Sequence, residues 1–319
     1  MKLQEIYELF IKKGIENDPR GKERIKKILD SEKKKYEKLD KKDRQYYDKE
    51  KLTNPFADTR ILFGDKDTEV KRILVGVDME VGEVLLADRL SEKGKKIDLV
   101  LAHHPEGIAL AGLDEVMHLQ ADVLSQYGVP INIAEGVIAG RIKEVSRGLA
   151  PVNHQRAVDA ARILDIPMMC SHTVADNMVY EFVKNIMDKK KPETVGEVLD
   201  LLLTIPEYQE GKKLGAGPRL FTGSPDNRAG RVAVTEMTGG TSGAKEIFEK
   251  MSHAGIGTVI GMHMSEDHRK EAEKYHLNVV IAGHMASDSL GMNLLLDEIE
   301  KRGVEIVPTS GLIRVKRNN

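Results

Sequence analysis

Apolar residues at helical spacing mark the start of the chain. In residues 1–14, Ile6, Leu9 and Phe10 fall on one face of a short amphipathic helix. Five apolar positions recur at the same spacing over residues 18–52, a segment with 14 Lys/Arg and 9 Asp/Glu. The pattern predicts a charged helix or helical pair. It is either an arm that binds nucleic acid or a solvated helix that packs on its own body or on a neighbouring subunit, and we favour packing.

From residue 72 onward, apolar strands alternate with amphipathic helices. The predicted strands are 72–79, 97–102, 166–172, 231–237, 257–262, 278–283 and 305–311. The predicted helices are 81–94, 113–127, 153–164, 173 to about 190, 192–205, 244–255, 266–276 and 284 to about 301. The turn-rich stretch 214–230 separates two halves with the same alternation. The pattern therefore predicts an α/β fold with mostly parallel sheets flanked by helices.

Composition limits the class of protein. Of the 319 residues, 40% are hydrophobic and 31% are charged, and the net charge of −2 gives no general attraction to nucleic acid or to acidic membranes. No apolar run approaches the roughly 18 residues that span a bilayer, and the N-terminal segment lacks the apolar stretch of a secretory signal. The single cysteine, Cys170, fits a small buried side chain in a reducing compartment. We therefore expect a cytoplasmic protein without a membrane partner.

Histidines and aspartates follow four of the predicted strands. They are His103 and His104 after 97–102, and H-x-x-x-D pairs at His172/Asp176, His263/Asp267 and His284/Asp288. Residues beyond the carboxyl ends of parallel strands meet at one sheet edge, and imidazole and carboxylate groups bind divalent metals. The set exceeds what one ion needs and indicates two ions bridged by a carboxylate and water. The alternative for each pair is a structural histidine followed by an acid that the helix dipole favours.

The remaining motifs are less specific. The turn Gly239, Gly240, Thr241, Ser242 and Gly243 is predicted to open a helix, as either an anion or substrate cradle or a tight structural turn. It does not match a P-loop, and no nucleophile elbow is present, so water bound to a metal is the favoured reactant. Four histidines within predicted helices are interpreted as structural or surface residues: His118, His154, His253 and His276.

These residues resemble the GTP cyclohydrolase 1 type 2 homologues, also called NIF-three-like proteins. The resemblance rests on H-H-P at 103–105, H-x-x-x-D at 172–176 and G-H-x-x-x-acid followed by G-x-N at 283–293. The stretches MKLQEIYELF, GDKDTEVKRILVGVD and RVAVTEMTGGTSG are also similar to that family. With gaps, the resemblance covers about two-thirds of the chain.

The resemblance implies two similar α/β halves that enclose a dinuclear metal centre at strand C-terminal ends, often in toroidal hexamers. It implies five metal ligands: His103, His104, Asp176, His284 and Asp288. The family usually has Glu, commonly bridging, where this chain has Asp288, so bridging stays open. His263 lies near a position where the family often carries an acid. The long interval between His104 and Asp176 implies an inserted helical segment at about 110–160, and 18–52 resembles a second insertion.

Three regions and one function are therefore expected. The regions are an N-terminal helix with a charged insertion (1–52), a first α/β half (53–190) and a second half (191–319). The expected protein is a homo-oligomeric, dinuclear metal-dependent hydrolase that acts on a nucleotide-like or phosphorylated small molecule. His172 and Glu106 are candidate proton carriers. The alternative is a non-catalytic metal carrier or oligomeric scaffold, and the sequence does not distinguish Zn, Fe, Mn, Ni or Mg.

Overall fold

The computed structural model describes residues 1–317, which form two sheets with helices packed on their faces. Residues 318 and 319, the end of the predicted second half, lie outside the described residues. The strands are Thr59–Phe63 (β1), Arg72–Gly76 (β2), Leu99–Ala102 (β3), Met168–Ser171 (β4), Arg219–Thr222 (β5), Arg231–Glu236 (β6), Ile256–Gly261 (β7), Asn278–Ile281 (β8) and Glu305–Pro308 (β9).

Helices connect and cover these strands. They are Leu3–Glu16 (α1), Lys22–Lys38 (α2), Lys41–Arg44 (α3), Val81–Glu92 (α4), Gly107–Ala111 (α5), Leu113–Val116 (α6), His118–Gln126 (α7), Ile131–Leu149 (α8), Arg156–Ile163 (α9), Thr173–Lys190 (α10), Val195–Leu202 (α11), Pro206–Lys213 (α12), Ile247–His253 (α13), Glu266–Lys274 (α14) and His284–Glu300 (α15), with a 3-10 helix at Lys49–Leu52. None of those in residues 1–317 has both the length and the apolar character required to cross a membrane.

The strand order confirms the predicted α/β class with mostly parallel sheets. The first sheet has the order β1-β4-β3-β2-β9, and the second has the order β5-β8-β7-β6. Parallel pairs dominate both sheets, and each sheet has one antiparallel edge strand, β1 against β4 and β5 against β8. The parallel strands β3, β4 and β8 are buried along their whole length, which explains their largely apolar sequences.

The sequence pattern missed both antiparallel edge strands. β1 (TRILF) and β5 (RLFT) have four or five residues, and each begins at or next to an arginine beside turn residues. Neither is long enough to show a period of two, and both form because a neighbouring buried strand supplies hydrogen-bonding partners. The predicted helix at 192–205 contains α11, but the pattern missed the separate helix α12, which Pro206 begins.

The two predicted halves exchange elements. β9 pairs with β2 in the first sheet, although the predicted boundary placed residue 305 onward in the second half. The inserted segment at 110–160 was assigned to the first half, but α7 and α8 belong to the apolar core of the second sheet. Tyr127, directly after α7, accepts a hydrogen bond at its hydroxyl from the Val234 N–H of β6. Both arrangements depend on contacts between residues far apart in the chain, which local periodicity does not contain.

Two long helices, α10 and α15, pack closely against each other between the sheets. A Cβ placed on Gly291 of α15 would lie 2.3 Å from the carbonyl oxygen of Ala175 on α10 and 2.8 Å from Val179 Cγ2. Only glycine permits this approach of the two backbones. Two residues beyond it, Asn293 donates from Nδ2 to buried Glu207 and to the Ile313 carbonyl, which fastens the C-terminal segment to α15. The G-x-N motif therefore packs α15 against α10 and links the C-terminal segment to α15.

The charged N-terminal segment forms helices, as predicted. Ile25 of α2 is buried, whereas most lysines of α2 are exposed. Arg24 lies 3.5 Å from Asp122 of α7, and Gln126 donates a hydrogen bond to the Pro19 carbonyl. The segment thus packs one face against the α7 region of its own chain.

Replacing Gly291 with alanine should destabilise the fold, because the added methyl group forces α10 and α15 apart. We expect the Gly291→Ala substitution to lower the free energy of unfolding by about 1–3 kcal/mol, the usual cost of overpacking. Thermal unfolding measured by circular dichroism tests this.

The matched control is Gly140→Ala in α8, where a new Cβ meets no atom within 4 Å. Alanine in an open helical position raises stability by about 0.5–1 kcal/mol. Equal melting temperatures for the two variants would contradict the proposed close contact.

Candidate metal centre

Side chains that follow three strands converge at one point between the sheets. His103 and His104 follow β3, His172 follows β4 and lies one turn before Asp176 in α10, and His284 and Asp288 occupy the first turn and a half of α15 after β8. Three groups drawn from these six residues have ligand atoms within 4.8 Å of one another. All five predicted ligands, His103, His104, Asp176, His284 and Asp288, are therefore brought together, and His172 joins them.

Asp288 lies at the centre of the cluster and faces both sides of it. Its Oδ1 atom is 3.5 Å from His103 Nε2, which is also 3.5 Å from Asp176 Oδ1. Its Oδ2 atom is 3.5 Å from His104 Nε2 and 3.5 Å from His284 Nε2. The two carboxylate oxygens thus face two different sets of donor atoms.

The spacing of these atoms fits coordination better than hydrogen bonding. N–H···O hydrogen bonds join atoms about 2.7–3.2 Å apart, so contacts of 3.5 Å are long for such bonds. Two ligands of a tetrahedral ion with bonds of about 2.1 Å are about 3.4 Å apart. The observed separations match that second value.

Several of these atoms are buried and have no hydrogen-bonding partner. They are His103 Nε2, Asp176 Oδ1 and both carboxylate oxygens of Asp288. Buried polar atoms are almost always satisfied, and an unpaired buried carboxylate is particularly costly. Divalent cations bound here would satisfy these atoms, so the residues present fit a metal centre.

The other ring nitrogen of three histidines is already fixed. The Nδ1 atom of His103 donates to the Ser171 carbonyl (3.1 Å), that of His104 to Asp78 Oδ1 (2.7 Å) and that of His172 to Asp58 Oδ2 (2.8 Å). These bonds set the tautomer and direct each Nε2 atom into the cluster, as carboxylates and carbonyls do behind metal-bound histidines.

The ionisation states of the central groups also suit metal binding. Burial opposes ionisation of Asp288, but His103, His284 and His104 around it hold the pKa of that carboxyl at about 2. Burial lowers the pKa of His284 to about 4. At neutral pH, Asp288 is therefore ionised and His284 is neutral, and these are the forms that coordinate a metal.

His172 differs from the other histidines of the cluster. Burial would lower its pKa, but the carboxylates of Asp176 and Asp58 raise the pKa of His172 to about 9. Asp58 itself is fully buried and accepts a second hydrogen bond from the Thr173 hydroxyl (2.6 Å). His172 is thus placed to carry a proton beside the cluster, and Asp58 holds it there.

The glycine-rich turn forms the opposite wall of a cavity of about 30 Å³ above the cluster. Gly240, Thr241 and Ser242 line it, together with residues outside the turn: Gln120, Glu236, Thr238, Met262 and His263. The turn does not open a helix directly as predicted, since α13 begins only at Ile247. Burial raises the pKa of the Glu236 carboxyl. His268, His263 and the Gly243 N–H lower that pKa, but by less.

Among the residues that the structure describes, the other candidates from the sequence lie outside the histidine and aspartate cluster. Asp267 is exposed in the first turn of α14, where Ser265 caps the helix, and only its partner His263 faces the cavity. Glu106 lies near Glu80 and Asp78, and its burial and Glu80 raise its pKa to about 7. Burial raises the pKa of the Cys170 thiol to about 12, which makes it a poor nucleophile. The four histidines interpreted as structural, His118, His154, His253 and His276, do not join the metal-ligand groups found in the described residues.

The sequence did not single out Asp58, Asp78, Gln120 or Glu236. Asp78 and Glu236 follow or end the parallel strands β2 and β6, so inspecting every strand end for carboxylates would have found both. Asp58 precedes the antiparallel strand β1, whose N-terminal end lies at the same sheet edge as the C-terminal ends of its parallel neighbours. Gln120 comes from the inserted helix α7, and no local signal places it in the cavity.

Solved structures of similar fold were found for most of the chain. A NIF3 superfamily protein from Sphaerobacter thermophilus is 27% identical, with a TM-score of 0.71 over 82% of this chain and 94% of that protein. HcgD from Methanocaldococcus jannaschii is 14% identical (TM-score 0.49, 78% and 87% covered), and a Bacillus cereus protein related to NIF3 is 11% identical (TM-score 0.40, 82% and 93% covered). No family model and no curated protein matches the chain.

The Sphaerobacter protein gives the main support for a family assignment. It is more similar in sequence to this chain than the other two proteins are, and its fold agrees over nearly its whole length. The order of the strands and the histidine and aspartate residues that follow them agree with the resemblance found in the sequence. The fold and these residues together support a NIF3-like family for this chain.

Proposed function

We propose that this protein is a hydrolase that holds two divalent metal ions and uses metal-activated water. The proposal rests on the position of Asp288. Its two carboxylate oxygens have no hydrogen-bonding partner and face two separate sets of donor atoms. His103 and Asp176 form one set with Oδ1, and His104 and His284 form the other with Oδ2. A single ion would leave one of these sets unsatisfied.

A pair of divalent ions would lower the pKa of bound water and polarise a bond of the substrate. The chain's own residues position the reaction and handle the proton. His172 holds a proton at Nδ1 against Asp58, which leaves its Nε2 atom 3.8 Å from Asp176 Oδ2. His172 is therefore the proton carrier we favour, whereas Glu106 lies outside the cluster in the described chain.

The proposed substrate is a nucleotide-like or phosphorylated small molecule. Support comes from the turn at 239–243, which lines the same cavity as His284 and Asp288. The cavity of about 30 Å³ has room for one or two waters or for the reacting group of a substrate. The body of the substrate would extend outward past His284, whose side chain is 38% exposed.

Substituting Asp288 should abolish binding of both ions, because both sets of donors share its carboxylate. After dialysis against one divalent metal, we expect the wild type to retain about two ions per chain and Asp288→Asn fewer than about 0.5. Inductively coupled plasma mass spectrometry measures the content. Asp267→Asn is the control and should retain two ions, and a variant at Asp288 that keeps both ions would refute the bridging role.

The wild type loaded with metal should hydrolyse at least one compound in a panel of nucleotides and phosphoesters. Chelation of the metal or the His104→Ala substitution should reduce this turnover by at least about 100-fold, since the ions activate the water. Product release is followed by liquid chromatography. A protein that retains two ions and turns over no compound of the panel would favour a metal carrier or scaffold instead.

A further inference from the structure

The wall of the cavity opposite the metal ligands includes three polar side chains, two of which have a buried oxygen atom without a protein partner. Gln120 projects from α7, while Glu236 ends β6 and Thr238 follows two residues later. These three side chains face the residues assigned to the metals across a cavity of about 30 Å³. The metal centre does not require any of them as a ligand, so their role is separate.

Gln120 lines the cavity and has an unsatisfied acceptor atom. Its side chain is buried, and its Nε2 atom donates to the Thr241 carbonyl at 2.7 Å. This bond fixes the amide orientation and leaves Oε1 buried without a partner. An unsatisfied buried carbonyl oxygen costs about 1–3 kcal/mol unless a ligand or water donates to it.

Thr238 and Glu236 extend the same surface. The Thr238 hydroxyl oxygen is also buried and has no partner. Glu236 also lines the cavity, and its carboxyl interacts with the Gly243 N–H of the turn. The wall therefore offers an amide oxygen, a hydroxyl and a carboxyl group.

The charge of this wall is unfavourable for an anion. Among the described residues that line the cavity, none is Lys or Arg. The Arg141 guanidinium, which contacts the turn, donates from Nε to the Ser242 carbonyl (3.1 Å) and pairs with Glu144 (3.0 Å). The wall itself therefore offers no cation to a phosphate, so the charge of an anion in this cavity would have to be balanced from the side of the metal ligands.

We propose that Gln120, Glu236 and Thr238 form a subsite for a neutral N–H group, so that the reacting part of the substrate is an amide, lactam or related N–H/C=O unit. Its oxygen would face the metal ligands and its N–H would donate to the wall. This inference rests on the proposed function, and it restricts the substrate to molecules whose phosphate, if present, lies outside the cavity.

A pair of small chelators tests the subsite without requiring turnover. Acetohydroxamic acid and N-methylacetohydroxamic acid offer the same two oxygens to a metal, but only the first carries an N–H. Isothermal titration calorimetry on the full chain loaded with two equivalents of Zn²⁺ gives both affinities. We expect the wild type to bind the N–H compound at least about tenfold more tightly.

Two substitutions of the same kind separate hydrogen bonding from size. Thr238→Val removes the cavity hydroxyl without changing the side-chain shape and should reduce the preference to about threefold or less. Thr235→Val is the matched control, because the Thr235 hydroxyl is also buried and unpartnered but does not line the cavity. It should keep the wild-type preference.

Several outcomes would overturn the subsite. Equal affinities in the wild type, or a preference that Thr238→Val leaves unchanged, would show that the wall does not bind the N–H group. Tighter binding of inorganic phosphate than of acetohydroxamic acid would identify an anion site instead. Failure of both chelators to bind protein that retains two zinc ions would also contradict it. If the chelators bind as expected but no compound of the nucleotide and phosphoester panel is hydrolysed, the proposed function would be contradicted and the N–H subsite would not.

Discussion

The contact between Gly291 and the Ala175 carbonyl determines how close the two central helices can approach. Ala175 directly precedes Asp176, and Gly291 lies one turn after Asp288, so this contact places the two carboxylates on either side of His103. A bulkier residue would separate the helices that carry them. The remaining donors come from the ends of β3, β4 and β8, whose positions the sheets fix. The site therefore depends on helix packing as much as on its ligands.

The cluster concentrates buried polar atoms that the protein itself does not satisfy. Two carboxylates and His103 lie in an environment that is nearly closed to water, and their inward atoms lack partners. The outward ring nitrogens of His103, His104 and His172 are by contrast held, by Ser171, Asp78 and Asp58. This asymmetry, with satisfied outer atoms and unsatisfied inner ones, is typical of a site shaped for a cation. It explains why acidic and basic groups are buried together without forming short ion pairs at the centre.

The sequence predicted the parts of the site that are local in the chain. His103, His104 and the pairs at 172–176 and 284–288 could be found because strand ends and helical spacing are short-range features. The same pattern at His263/Asp267 shows the limit of this argument. Ser265 begins α14 and directs Asp267 to solvent, so an identical spacing gives an exposed helix start. Only the tertiary position of each strand distinguishes the two cases.

Long-range pairings account for what the sequence did not show. β1 brings Asp58 to His172 from 114 residues away, and β9 returns to the first sheet after the second is complete. The inserted helix α7 crosses to the second sheet and brings Gln120 to the Thr241 carbonyl. Each of these depends on a contact between distant segments, and the short apolar runs involved do not encode it. The opposite wall of the cavity is therefore the least predictable part of the site.

Anomalous X-ray scattering from crystals soaked in zinc tests the central claim most directly. Two zinc peaks should flank the Asp288 carboxylate, about 3.5–4 Å apart, with His103 and Asp176 at one peak and His104 and His284 at the other. A single peak, or two peaks of which neither contacts Asp288, would contradict the account.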